Sequence, residues 1–199
     1  MARPSLTRQR TEEILDALEL CILEKGIQAC SLEYIAETAQ MKRTILRHYI
    51  GNRDDIISAL SHRWRKKFTE DWQQILAWMP SNNQALALVD TLFSSRSPDY
   101  IKRILISEAL FSEARRLPAI KEDQKNIISE SLGYISQILN QQYPEADLNA
   151  LSLVASGIHA NYILSESLLP LGMMDEIFQL KNSSLLLMST LDSDSTLYR

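Results

Sequence analysis

Five prolines, Pro80, Pro98, Pro118, Pro144 and Pro170, cut the greater part of the chain into stretches 18 to 26 residues long. Proline has no amide hydrogen to give a helix interior, and its ring clashes with the preceding turn, so each one marks the start or end of a helix. A chain punctuated at this interval reads as a series of helices, one to a stretch. Composition agrees: 45% of the 199 residues are hydrophobic, only 7% are aromatic and five are glycine, a balance that favours helices over a sandwich or barrel. That much apolar material suffices for one large domain or two small ones. The stretches led by Pro118 and Pro144 share little beyond the proline, which suits a first helical turn. They read as two successive long helices joined tightly at Tyr143-Pro144.

Ahead of Pro80 the punctuation passes to Gly26 and Gly51. Ile14, Leu18 and Ile22 recur every four positions, with Ala17 and Cys21 beside them, which predicts an amphipathic helix from Thr7 to Lys25 ended by Gly26. Ser31 is placed to cap a second, short helix over SLEYIAETA, with Glu33 in its first turn, where the helix dipole favours an acid. After a link at Gln40-Met41, KRTILRHY predicts a third helix of about two turns with Ile45 and Leu46 facing inward. Past Gly51-Asn52, the stripe Ile57, Leu60, Trp64, Phe68, Trp72, Ile75 and Met79 predicts one long helix. At about 25 residues it would be near 40 Å long, enough to join two parts of the protein without a flexible linker.

Charge separates those parts. Through Phe68 the chain carries 12 Lys and Arg against 9 Asp and Glu, whereas the remainder carries 9 against 16, hidden inside an overall charge of −4. A basic head on an acidic body suggests an anionic partner for the head. The opening residues carry charge without an apolar run behind it, so no secretory signal is read and a cytoplasmic protein is expected. Leu148 to Leu171 is the most apolar region, but Asn149, Ser152, Ser156, His159, Asn161 and Glu166 interrupt it, so no membrane association is expected. Cys21 and Cys30 have no metal or redox spacing and read as small buried hydrophobes, with a redox switch as the alternative. His48, His62 and His159 lie far apart, and no nucleotide-binding, metalloprotease or hydrolase motif occurs. No metal, no cofactor and no enzymatic activity are expected.

The three short helices form the pattern of a helix-turn-helix unit whose third member carries Lys42, Arg43, Thr44, Arg47, His48 and Tyr49. A helix fits the major groove of B-DNA; Arg and Lys bond guanine edges, Thr meets a base or a thymine methyl, and Tyr, His and Arg reach phosphates. The alternative, a solvated basic face, is common on any helix. Clustering on one two-turn helix behind a capped one favours DNA. Ser31 is counted with the DNA-facing residues. Glu33 is placed either to accept from cytosine N4 or to cap its helix, the latter preferred. Arg3, Arg8 and Arg10 read as a loose basic arm that either follows the phosphates or frays without contact. The basic excess continues down the fourth helix at Arg63, Arg65, Lys66 and Lys67.

From Arg10 to Ile57 the chain resembles the N-terminal domain of TetR-type transcriptional regulators. Gly26 ends the first helix, Ile35-Ala36 stands in the second, and QMKRTILRHYIGNRDDII follows the family's Gly-Val-Ser-Lys-Gly-Thr-Leu-Tyr-x-His-Phe-x-x-Lys-x-x-Leu without a gap. The resemblance implies that Tyr49 contacts phosphate and that Arg53, at the family lysine, meets phosphate from the start of the fourth helix. Gln40 replaces the turn glycine, Arg47 a tyrosine and Ile50 a phenylalanine; a Gln in that turn is costly if positive φ is required. Arg47 keeps phosphate reach and adds a charge.

In the body, the helix after Pro144 has one apolar face of Leu148, Leu151, Ala155, Ile158 and Tyr162 and another of Leu153, Ala160, Leu164 and Leu168. One serves its own core and the other a partner. Ser152, Ser156, Gly157 and Ala160 are small enough to admit another helix closely. The last helix, with Ile177, Phe178, Leu180, Leu185, Leu186, Leu187 and Met188, is apolar nearly all round at its end. A homodimer through these last two long helices is expected, as the resemblance also implies; a monomeric bundle is the alternative. The resemblance alone implies a pocket among the middle helices for a small apolar or amphipathic effector. The residues to line it are Trp72, Phe93, Tyr100, Ile104, Phe111, Tyr134, Ile138, His159 and Tyr162, each of which also suits plain core packing.

The expectation is therefore an all-α protein with a helix-turn-helix DNA-binding domain over 1–52 and a helical ligand-binding and dimerisation domain over 53–199. It would act as a homodimeric repressor released from a palindromic double-stranded operator by a small molecule, the fourth helix serving as lever. A helical carrier or enzyme retaining a vestigial head, and a ligand-independent DNA binder, are the alternatives.

Overall fold

The computed structural model describes residues 6–94 and 97–192, and every regular element among them is helical. In chain order these are α1 (Leu6–Lys25), α2 (Leu32–Thr38), α3 (Arg43–Ile50), α4 (Arg53–Trp78), α5 (Gln84–Leu92), α6 (Pro98–Glu113), α7 (Pro118–Gln142), α8 (Leu148–Leu168) and α9 (Met174–Ser189), with 3-10 turns at Ile27–Ala29 and Leu169–Leu171. Pro98 and Pro118 open their helices, as N1 prolines do. Pro144 does not: α8 starts four residues later at Leu148, because the Asp147 carboxylate accepts from the amides of Asn149 and Ala150 and caps it there. Leu148 consequently sits in the first turn, 75% exposed, and does not join the inward face.

Two compact units divide the chain, one made of 1–68 with 102–126 and the other of 69–101 with 127–199. In the first unit, Ile14 and Leu18 of α1, Ile35 of α2, Leu46 of α3 and Ile57 and Leu60 of α4 meet Ile106, Leu110 and Ile120 in one core. Each fully buried aliphatic side chain contributes about 1.5–3 kcal/mol. Leu46 is the one fully buried residue of α3. Ile45 turns outward instead of inward, since the adjacent position on a helix lies about 100° round from the one that packs. The two cysteines lie in this core, with Cys21 beside the Thr38 hydroxyl and burial pushing the Cys30 thiol up to about 11, so both are protonated thiols at neutral pH.

Polar contacts lock the same unit. Arg63 reaches Glu12, Asp16 and Glu19 at 3.0, 2.7 and 2.7 Å, and the Trp64 indole donates to Glu19. Arg63 therefore ties α4 to α1 and does not extend a free basic surface down α4. Arg8 and Arg10 likewise belong to helix α1 and not to a loose arm, Arg10 pairing with Glu13; Arg3 lies outside the described residues. Arg53 and Asp54 follow Asn52, whose side-chain oxygen accepts from the amides of Asp54 and Asp55 while Asp55 accepts from the amide of Asn52. This reciprocal cap needs Gly51, whose φ is +95° and whose position would drive a Cβ to 2.4 Å from the Asp55 carboxylate.

In the second unit α8 packs along α9, and α5 also packs against α9. Leu151, Val154, Ala155 and Ile158 form the inward side of α8 and Ile177, Ser184 and Met188 that of α9. Gly157 permits the approach, since a Cβ there would meet a methyl of Leu187 at 2.6 Å. Among the described residues no helix is long and apolar enough to cross a membrane.

Candidate nucleic-acid interface

Two short helices and the turn between them build the surface. Ser31 accepts from the amide of Tyr34 at 3.1 Å and fixes where α2 begins. Tyr34 in turn donates to Glu24 of α1, whose carboxylate pushes the phenol up to about 12, and the Lys25 ammonium stands 4.1 Å over its ring. Where α2 ends, the amide of Met41 bonds the Ala36 carbonyl at 2.9 Å and that of Gln40 bonds Glu37 at 3.0 Å, the Schellman pattern. That pattern needs a left-handed residue, and Gln40 supplies it at φ +52°. The glycine substitution noted in the sequence thus leaves the turn in place, with the strain carried by Gln40.

α3 is rooted by Leu46, with Tyr49 and Ile50 partly buried beside it, and turns its other side to water. Lys42, Arg43, Thr44, Arg47 and His48 are exposed, while Tyr49 is half-buried against the core with its ring edge-on to His48 at 5.4 Å. The six residues expected on the third helix thus lie on or immediately before it, Lys42 being its N-cap. Glu33 does something sequence reading missed: its carboxylate meets the Arg43 guanidinium at 2.5 Å across the α2–α3 angle, both side chains exposed. An exposed ion pair contributes about 0–1 kcal/mol, so the contact with Glu33 holds Arg43 only weakly.

Arg53 is arranged differently. Its Nε donates to the Cys30 carbonyl at 2.7 Å and its Nη2 to the Ile27 carbonyl at 2.6 Å. Its neighbour Asp54 meets Arg116 at 2.6 Å, which holds the Asp54 carboxyl below its ordinary value. Arg116 also holds Glu113, a buried carboxylate that accepts from Gln28 at 2.5 Å. Nothing in the local sequence marked Gln28, Glu113 or Arg116, since an acid on an amphipathic helix reads as surface.

The residues expected around an effector fall in both units. Ile104 and Phe111 belong to the first, where Ile104 is buried and Phe111 is exposed. The other seven belong to the second. There Trp72 stacks on Tyr134 at 5.2 Å, and the Tyr100 hydroxyl donates to Glu166 at 2.8 Å and lies 3.2 Å from that of Tyr162. Ile138 is buried, Phe93 is half-buried, and burial lowers the pKa of His159, leaving it neutral at pH 7. A cavity of about 510 Å³ in this unit is lined by Ser81, Asn82, Asn83, Gln84, Gln141 and Gln142 and includes none of the nine. Among the described residues no cluster of His, Cys, Asp or Glu is fit to hold a metal.

A helix-turn-helix followed by further helices defines a class of fold, and solved structures share it over most of this chain. A TetR transcription regulator from Haloarcula marismortui superposes with TM-score 0.76 at 13% identity, covering 92% of this chain and 98% of the other. The multidrug binding protein EbrR, complexed with imidazole, gives 0.65 at 16% identity over 94% and 97%. SmeT, the repressor of a Stenotrophomonas maltophilia multidrug efflux pump, gives 0.60 at 18% over 91% and 87%. No family model and no curated protein matches the sequence. The chain has the fold of the TetR regulators, an N-terminal helix-turn-helix followed by a helical domain.

Proposed function

We propose that this protein is a cytoplasmic DNA-binding transcriptional regulator, acting as a homodimeric repressor that a small apolar or amphipathic molecule releases from a palindromic operator. The observation that carries the reading is α3: one leucine roots it in the core while Lys42, Arg43, Thr44, Arg47 and His48 stand together in water. In this reading Arg43 and Thr44 meet base edges, and Lys42, Arg47, His48 and Tyr49 position the phosphates. Ser31 serves by setting where α2 begins. Residues 1–52 form the reading head and 53–199 the regulatory and dimerisation part.

Support for the dimer comes from the outer side of α8 and α9, where Leu153, Leu164, Phe178 and Leu186 are exposed around Ala160 and Ser156. An apolar face on the element that ends the bundle is the ordinary mark of a self-complementary interface. The stacked Trp72 and Tyr134 and the Tyr100, Tyr162 and Glu166 group suit an effector with one flat apolar part and one polar end. Such a ligand acts only through its differential affinity for the DNA-binding and released states.

The test uses the full chain, its own upstream DNA and a random-sequence duplex. Binding to upstream DNA is expected to exceed binding to random duplex by about 10³-fold or more and to weaken steeply with salt. Equal, weak binding to both would leave an architectural binder, and none at low salt would end the DNA reading.

A further inference from the structure

The one cation in the first turn of α4 reads in sequence as a free charge but is held in place in the fold. Arg53 is only 25% exposed, and its guanidinium bridges two backbone carbonyls that lie 26 and 23 residues earlier, Ile27 at 2.6 Å and Cys30 at 2.7 Å. These carbonyls bracket the 3-10 turn between α1 and α2, and the residue after Cys30 is Ser31, the cap of α2. A second link reaches the same turn. Asp54 binds Arg116, Arg116 binds Glu113, and Glu113 accepts from Gln28 inside the turn. Consecutive residues of α4 thereby close a ring of polar contacts through the end of α6 and back to residues 27–30. The carbonyls engage two of the five guanidinium N–H groups and Nη1 lies 3.6 Å from the Asp54 carboxylate, so the turn and the adjacent acid together hold the side chain in place.

We infer that Arg53 is a positioning residue, a clamp that sets the start of α2 and so the angle at which α3 is presented, and not a phosphate ligand. Its planar fork spans both carbonyls at once, which a lysine ammonium on a single stem does not reproduce. The consequence at DNA rests on the proposed function above, whereas the clamp itself does not.

Three full-length proteins decide it: wild type, Arg53→Lys, which keeps the charge and loses the fork, and Arg53→Met, which loses both. Amide hydrogen exchange reads the clamp directly. Exchange across Cys30–Tyr34 is expected to rise about tenfold or more in both variants while the amides of 14–22 in α1 keep their protection, which certifies the fold. If Arg53→Met does not fold, Arg53→Lys carries the measurement. Affinity is then read against salt, on duplexes selected by the wild type from a randomised library. Both variants are expected to lose about tenfold with an unchanged salt slope, whereas a phosphate ligand would leave Arg53→Lys near wild type and lower the slope of Arg53→Met by about one. Wild-type exchange in Arg53→Lys, or that fall in slope, overturns the inference. Failure of the wild type to bind any duplex would remove the DNA reading and leave the exchange result to judge the clamp.

Discussion

The α2–α3 surface and the outer side of α8–α9 each leave in water what a folded chain ordinarily hides or pairs, but they leave opposite things. On α3 it is charge: Lys42, Arg43 and Arg47 stand exposed around a helix that sends one leucine into the core. On α8–α9 it is apolar surface: Leu153 and Leu186 are 71% and 70% exposed on helices whose other sides are well buried. Exposed charge is cheap in water and strengthens only against a polyanion, so the first surface can wait for its partner. Exposed leucine is not cheap, so the second surface is the one expected to be covered permanently.

The largest effect should follow from charging the apolar face. In the proposed homodimer, Phe178→Glu with Leu186→Glu is expected to give a folded monomer and to lower affinity for selected DNA by about 100-fold or more, since one head alone would meet half a palindrome. The magnitude comes from area: burying a large apolar side chain is worth about 1.5–3 kcal/mol, and two-fold symmetry counts each substitution twice. Light scattering for mass and circular dichroism for helix content read the outcome. A double variant that stays dimeric would erase the contrast between the two faces.

On the charged face the expected effects are smaller and fall on specificity. Arg43→Ala should cost about 1–3 kcal/mol on selected DNA and relax preference at one base pair per half-site, with much less loss on random duplex. Glu33→Gln should act in the other direction. It removes a negative charge from the approach to phosphate and frees Arg43, so binding to random duplex should tighten about two- to fivefold at low salt and converge with wild type at high salt. Equal losses on both duplexes for Arg43→Ala would make it a phosphate contact like its neighbours.

The contrast between the faces was largely visible in the sequence, because both are periodic: helical spacing sorts Leu153 and Leu164 from Leu151 and Ile158, and a basic two-turn segment is a local pattern. What escaped was set by contacts distant along the chain. Arg53 has the right type and place for a phosphate, and only the folded chain brings the carbonyls of Ile27 and Cys30 beneath it. Glu113 reads as surface until Gln28 and Arg116 are seen to satisfy it. Arg63 counts toward a basic head in the sequence, yet in the fold three acids of α1 surround it. A side chain's chemistry is legible in one dimension; which of several equally suitable partners it meets is not.

Gln40 joins the two kinds of information and gives the smallest prediction. Sequence comparison marked it as standing where a glycine is usual, and the structure shows why a glycine is usual there: the bonds from Met41 to Ala36 and from Gln40 to Glu37 force φ +52°. A non-glycine residue in left-handed geometry costs about 1–2 kcal/mol, part of which glycine returns through its greater freedom when unfolded. Gln40→Gly is therefore expected to stabilise the protein by about 0.5–1 kcal/mol, read as a raised midpoint of denaturant unfolding with an unchanged slope. Because the turn is already in the geometry glycine would adopt, the angle between α2 and α3 should not change, and base preference should stay that of the wild type. The apolar face lies on other helices, so dimer mass should be untouched. A shift in base preference would mean that the strained turn, and not only the side chains of α3, sets what the charged surface reads.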